Sequence, residues 1–411
     1  MFAVFWLLVM VSLGSAQEKA LPSAVDLRPD FARLGLDAQA QGKRDTCSLF
    51  AIATLADFQW AKDRGRGGQP LSVEFLAWAA NEATGLTGDQ AMFYEAVHGL
   101  NELGICTAAL MPYEKTHDAR RAPSPAARAD AKERRGRWRV TWIKRWDVSR
   151  GLSADELGAV KRALASGHPV ACGLRWPITP SGGSLLKVPP AGKVRDGHSI
   201  VFTGYKDASA GGDGILRFRN SAGPGWGDGG YGVMSYSYAC AYANDALWLQ
   251  LGAAGSEIPT ERVEAEAMTV LSREKCEATP QSMAAWGKGM WSEGKQLFCR
   301  AQRGGCVELS FEVRQAGRYR VRVVATAAPD YSIIRVTLDG RAQRPEFDLY
   351  AGRVCPAGAL ELGDHELAAG KHTLRFTAVG KHARSSNYFF GLDRVELLSQ
   401  PSPQPVGVIA R

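Results

Sequence analysis

Gln41-Gly42-Lys43-Arg44-Asp45-Thr46-Cys47-Ser48-Leu49-Phe50-Ala51 is the stretch on which the reading of this chain turns. Beyond Cys47, Ile52, Leu55 and Phe58 recur at the three-residue spacing of one buried helix face, which puts a thiol at the first turn of a helix. The helix dipole and the free N–H groups there favour negative charge and lower a thiol pKa. Further on, Asp196-Gly197-His198-Ser199 enters an apolar run and Arg219-Asn220-Ser221 ends another. The chain then continues Ala222-Gly223-Pro224-Gly225-Trp226-Gly227-Asp228-Gly229-Gly230-Tyr231.

Around these residues the pattern changes character. Ser72 caps a helix running to about Ala83, and Met92–Leu103, with Phe93, Val97 and Leu100 apolar and Gly104 beyond, reads as another. Ser153-Ala154-Asp155-Glu156 is a capping box, followed by Leu157, Val160 and Leu164 and stopped at Gly167. Val170–Leu174, Ser199–Tyr205, Ile215–Arg219 and Tyr231–Tyr238 then read as strands between Gly-rich turns. Helices first and antiparallel strands afterwards predict an α+β domain.

A cysteine, a histidine and an asparagine in that order, with Gln41 six residues before Cys47 and N-S-x-G-x-G-W-G from Asn220, resemble the papain-like cysteine peptidases. The resemblance spans about residues 21–250 and includes Leu21-Pro22-Ser23-Ala24-Val25-Asp26-Leu27-Arg28, similar to the mature start in that family. It also takes in Gly104-Ile105 leading to Met111-Pro112-Tyr113-Glu114. It implies a two-lobed fold, a helical lobe against an antiparallel β lobe, and a peptidase needing no cofactor for catalysis. By the same resemblance Cys47 is the nucleophile and His198 its proton partner, in an ion pair that takes a thiol from ~8.5 to as little as ~3–4. His198 protonates the leaving amine and later activates water, and Asn220 orients the ring. Gln41, with the Cys47 N–H, stabilises the oxyanion, a donor being worth ~10²–10³ in rate.

Departures from the family pattern define what to look for. Arg44 stands where the family has a cysteine, so its first disulfide cannot form. Ser48 replaces an aromatic residue. Ala222 replaces the tryptophan over the His–Asn bond, so Asn220 and His198 are expected to be more exposed to water, with Trp226 left as packing. The family's substrate-binding Gly-Gly falls near Gln90-Ala91, which alters the non-primed cleft. The complete Cys47, His198, Asn220 and Gln41 set favours a peptidase. The altered flank and missing cover keep open a catalytically silent papain-fold protein that works in binding or adhesion.

Residues 252–262, small, polar and containing Pro259, read as a linker, dividing a peptidase domain at 21–251 from a second domain at 263–399. Beyond the linker Val307–Val313, Tyr319–Val323, Ile334–Leu338 and His372–Ala378 alternate apolar and polar, with Asp339-Gly340 and Ala369-Gly370 as turns. That predicts an all-β sandwich. Val263–Met268 and Phe390–Leu397 resemble the two ends of galactose-binding-like jelly rolls and carbohydrate-binding modules. The resemblance implies a glycan or cell-surface ligand and a structural calcium held by Glu264, Glu266 and Asp393, an oxygen set such an ion prefers. Trp286, Trp291 and Tyr388 are candidates for a sugar-stacking platform.

The 411 residues are 45% hydrophobic, 22% charged and 9% aromatic, which excludes general disorder, a fibrous repeat and a polytopic membrane protein. Most of the net +8 falls between Arg120 and Asp147, where ten Lys/Arg face three Asp/Glu. A nucleic-acid surface spread over the protein is therefore not expected. That segment reads as a solvated insertion whose Trp138, Trp142 and Trp146 pack on the domain, the second reading being a basic surface for an anionic polymer or membrane. Met1–Leu13 with Gly14-Ser15-Ala16 reads as a signal peptide at 1–16, so a periplasmic or extracellular monomer is expected. Only Gln17–Ala20 then precede Leu21, and an inhibitory pro-segment is not expected. In an exported protein Cys276, Cys299, Cys306 and Cys355 are expected to form two bridges, with three connectivities open. Residues 400–411, with three prolines, read as a mobile tail.

Overall fold

The computed structural model describes residues 20–65, 69–178, 185–209, 212–287 and 289–400. The signal peptide at 1–16 and all of the tail beyond Gln400 lie outside the described residues.

The helix that begins at Cys47 runs to Asp63 and is buried on nearly every side. An all-round apolar helix must sit inside a domain rather than on it. It is flanked by helices Val73–Thr84 and Phe93–Leu103 and lies against strands Val194–Lys206 and Ala243–Leu251. Ser72 caps the first of these flanking helices, accepting from Phe75 N at 2.9 Å. Gly104, at φ +80°, ends the second where any Cβ would lie 2.1 Å from Ala131 O, so only glycine permits this approach to helix Pro125–Lys132.

Against the helices stands a seven-stranded antiparallel sheet, ordered Trp138–Lys144, Ala243–Leu251, Val170–Pro177, Val194–Lys206, Ile215–Arg219 and Tyr231–Ser235. Ala24–Asp26 is stitched to its Gly204–Lys206 end. Tyr231–Tyr238 is only half a strand. Ser235 accepts from Tyr238 N and turns the chain into helix Tyr236–Tyr242. The basic segment is divided: Arg120, Arg128, Lys132 and Arg135 are exposed, and other members turn inward. Trp138 is in the core, Arg134 stacks on Trp60, and the buried Lys144 ammonium donates to the Asp147 and Ala243 carbonyls at 2.8 Å.

Residues Glu261–Ser399 form a second, ten-stranded antiparallel network with its own core. Its main path runs Arg341–Ala342, Ser332–Leu338, Gly370–Lys381, Lys295–Val313, Phe390–Ser399, Gly317–Ala327 and Cys355–Leu367. Asp339 and Gly340, at φ +48° and +74°, make the tight hairpin turn that positive φ permits.

The stretch 252–262 is anchored rather than free. Glu257 N donates to Gly136 O at 2.9 Å, and its carboxylate, 4% exposed, sits between Arg320 Nη2 at 2.6 Å and Arg322 Nη1 at 2.8 Å. The second core draws in Tyr94, with Met92 and Trp142 packed on it, from the first part of the chain. Arg384 reaches Asp147 at 3.0 Å. All eight cysteines are free thiols, so the two expected bridges are not formed. The Cys276 and Cys299 thiols touch on paired strands, but Cys306 lies 2.9 Å from Arg375 Nη2 and Cys355 is buried near Arg145.

Candidate active site

Cys47 opens its helix at the bottom of a cleft of about 1100 Å³, which His198, Asn220 and Gln41 also line. His198 comes from strand Val194–Lys206, opposite Leu174, and Asn220 from the end of Ile215–Arg219. His198 Nε2 lies 2.7 Å from Asn220 Oδ1, which also accepts from Ser221 N at 2.9 Å. Because that oxygen can only accept, Nε2 carries the proton and Nδ1 keeps its lone pair. The site thus holds a base whose tautomer is set.

The expected exposure of this pair is not found. Asn220 is 6% exposed, and Trp176 meets His198 edge-on, with ring centroids 4.5 Å apart. Trp176 packs in turn on Phe218 and Trp226. The cover absent at Ala222 is supplied by a tryptophan from a different strand.

Gln41 is fixed from every side. Its side-chain amide donates to Arg44 O at 2.7 Å, Ser221 Oγ donates to its Oε1 at 2.5 Å, and Tyr113 Oη donates to its carbonyl at 2.9 Å. An amide NH₂ has two hydrogens, so one remains for an oxyanion. Ser48 donates to Ala91 O, and Gln90 Nε2 donates to Asp45 Oδ2 at 3.0 Å, tying the Gln90-Ala91 edge of the cleft to the helix start. Arg44, 4% exposed in its side chain, pairs with Glu74 and Asp89, each at 2.6 Å, donates to Glu114 O and stacks on Tyr113.

Electrostatics departs from the sequence expectation. Burial pushes the Cys47 thiol up, although hydrogen bonds from Ser199 and Ser48 pull against it. Burial pushes His198 down, with Arg195 adding to the effect and the Asn220 bond opposing it. Both shifts favour a neutral thiol and a neutral imidazole in the same cleft at rest. The Cys47 sulfur lies 3.9 Å from the carbonyl oxygen of Gly197, the residue before His198. Ser199 is a participant that the sequence reading missed; its adjacency to His198 on a strand entering the cleft was the available signal.

In the second part, Ser292 gathers the predicted acids. Its Oγ donates to Glu264 Oε1 at 2.7 Å and its N–H to Asp393 Oδ1 at 2.9 Å. Glu264 Oε2 and both Glu266 oxygens are buried without a partner, and burial pushes Asp393 up to about 7. These are oxygen donors of the kind calcium takes. Asp393 Oδ2 is bound by Arg394, and among the described residues no three His, Cys, Asp or Glu are grouped to hold a metal as they stand. The sugar platform is not assembled: Trp291 is buried and donates to Thr326 at 2.8 Å, and Trp286 is exposed.

The described fold and site therefore comprise a helical layer and an antiparallel sheet with a thiol, an imidazole and two carboxamides in the cleft between them. Solved structures that resemble the chain include two cysteine-protease chains. Xylellain, a cysteine protease from Xylella fastidiosa, is 24% identical over 56% of this chain and 87% of its own, with a TM-score of 0.47. Digestive procathepsin L 3 of Tenebrio molitor larval midgut is 22% identical over 58% and 72%, with a TM-score of 0.45. No protein-family model matches the chain, and neither does any curated protein.

Proposed function

We propose that the protein is a papain-like cysteine endopeptidase, hydrolysing peptide bonds with Cys47 as nucleophile. The observation that carries this reading is the 2.7 Å His198 Nε2–Asn220 Oδ1 bond, which leaves Nδ1 as a base in the cleft that holds Cys47. On attack the sulfur bonds to the scissile carbonyl carbon while its proton passes to His198. The oxyanion meets the free Gln41 amide hydrogen and the Cys47 N–H. Collapse expels the amine, which takes the proton from His198, and water activated by the same ring then cleaves the thioester. Tight burial of Asn220 and the Trp176 cover favour this reading over the silent scaffold.

The finer reading is that of an exported enzyme whose residues 263–399 are a jelly-roll module directing it to a surface or glycan, with exposed Trp286 as a contact and calcium among Glu264, Glu266 and Asp393. Such an ion would neutralise Glu264 Oε2 and the Glu266 carboxylate, which otherwise sit buried without a partner.

An epoxide thiol probe tests the chemistry. Cys47→Ala is expected to lose labelling and to lose turnover by ~10⁶-fold, the scale for removal of a nucleophile. Cys106→Ala keeps both. Since His198 is held below the ordinary histidine value, the acid limb of kcat/KM is expected below pH 6.5. Turnover surviving in Cys47→Ala overturns the proposal.

A further inference from the structure

One wall of the cleft is not made by the part of the chain that carries the thiol. Arg353 lines the same cleft as Cys47 and His198, although it belongs to a loop of the second sheet. That loop is held firmly. Leu349 N donates to Ser332 O at 3.1 Å and Ala351 N to Ala328 O at 3.2 Å, and both side chains are buried. Gly352 then lies against Trp146 and Asp147, where a Cβ would sit 3.7 Å from the indole and 3.6 Å from the carboxylate. The backbone thus presents Arg353 outward at the cleft rim. Its guanidinium carbon stands 5.6 Å from the centre of the Trp146 ring and 5.9 Å from that of Tyr94.

The charge balance of the cleft makes this cation available. Its acids are already engaged. Asp45 takes the Gln90 amide, Glu95 takes Met92 N at 2.7 Å, and Asp245 takes Gly173 N at 3.0 Å. Burial pushes Glu95 up, against the pull of the Met92 N–H and of Arg353 itself, and pushes Asp245 up to about 7. Arg353 is exposed, and among the described residues no carboxylate forms an ion pair with it. A guanidinium resting on aromatic faces keeps its N–H donors free for a planar, two-oxygen acceptor.

We propose that Arg353 is a specificity residue supplied by the second sheet, and that it binds a carboxylate of the peptide substrate. This rests on the peptidase reading and names the class of substrate that cleft selects. The carboxylate comes either from an Asp or Glu side chain or from the chain terminus, and both sources present the same planar anion. It follows that the second part of the chain completes the cleft as well as standing beside it.

The test uses the full chain and amide-capped fluorogenic peptides in which Glu and Gln are exchanged at each position in turn, together with a neutral peptide as free acid and as amide. One exchange is expected to favour the anion about five- to tenfold in kcat/KM, the scale of a charge-assisted contact in a partly open site. Raising the salt shrinks that ratio. Arg353→Gln brings it to about one, and Arg353→Glu reverses it in favour of Lys. A preference confined to the free-acid peptide assigns the carboxylate to the chain end. A Glu/Gln ratio unchanged in Arg353→Gln overturns the proposal. If no peptide is cleaved and Cys47 takes no label, the peptidase reading fails instead. Fluorescence anisotropy of Glu and Gln peptides on Cys47→Ala still decides Arg353 in that case, equal affinities overturning it and a preference lost in Cys47→Ala with Arg353→Gln upholding it.

Discussion

At the lip of the cleft a single cation, Arg44, is gripped by Glu74 and Asp89; at the junction of the two sheets a single anion, Glu257, is gripped by Arg320 and Arg322. Both clusters are largely buried, but they differ in how closely their second neighbours stand. Arg44 is held at 2.6 Å by both acids, which keep its proton still more firmly than usual, while the other neighbours of those acids stand farther off, Arg121 3.6 Å from Glu74 and His117 3.4 Å from Asp89. The Glu257 carboxyl is pushed up by burial despite its arginines, and Arg139 from the first part stands 3.8 Å away. Its neighbours also have alternatives: Arg322 reaches Glu396 at 3.1 Å and Arg320 reaches Glu361 at 3.9 Å. One cation closely held by two acids, with only looser neighbours behind it, makes a clamp that depends on its central member. An acid among several arginines makes a joint that can share its load.

The sharpest way to break that contrast is Arg44→Ala. It leaves the buried Glu74 carboxylate with Arg121 at 3.6 Å and the Glu114 N–H at 3.2 Å, and is expected to lower stability by about 3 kcal/mol, the lower end of the loss when one member of a buried pair is removed. Urea unfolding measures it, and a slower epoxide reaction at Cys47 should accompany it, because Arg44 holds the loop that faces Gln41. Glu257→Ala is expected to cost less, about 1–3 kcal/mol, since its arginines keep other acids. Equal losses would show that the clusters are not different in kind.

The smallest effect concerns a third acid beside an arginine, Asp393. Its carboxyl is raised to about 7 in the fold against an ordinary 3.8, so the protonated form is the one the fold prefers. Its contribution is complete below pH 4 and is lost as pH rises toward 7. Asp393→Asn should therefore gain about 1 kcal/mol on the parent across that window, with Arg394 offsetting part of the raw shift. At pH 8, calcium should raise the melting temperature of the parent and not of the variant. A parent indifferent to calcium removes the ion from the proposal.

Much of the helical part is legible from local signals. Caps at Ser72 and Ser153 and the glycine after Leu103 mark ends that the structure keeps, because capping is decided within a few residues. The approach of Cys47, His198 and Asn220 was readable only as chain order combined with a resemblance, never as distance. Trp176 was out of reach for the same reason. It covers His198 from a neighbouring strand, and no spacing in the sequence announces a partner across a sheet. The basic run misled in another way. Counting charge cannot reveal that Arg134 and Lys144 turn inward onto an aromatic ring and backbone carbonyls. In the second part, alternation gave strands, but not the long Lys295–Val313 strand or the arginine its loop sends into the cleft.

The strand Ala24–Asp26 pairs with residues 204–206, so the start of the chain is held by a segment made much later. A ribosome delivers the thiol first and the imidazole roughly 150 residues afterwards, about eight to thirty seconds at about 5–20 residues per second. Arg353 emerges last of all. During that interval the nascent thiol has no base beside it and no finished groove around it. The order of synthesis is itself a safety catch: on the peptidase reading proposed above, no cleft can form around the thiol until the imidazole strand, and then the Arg353 loop, have followed it.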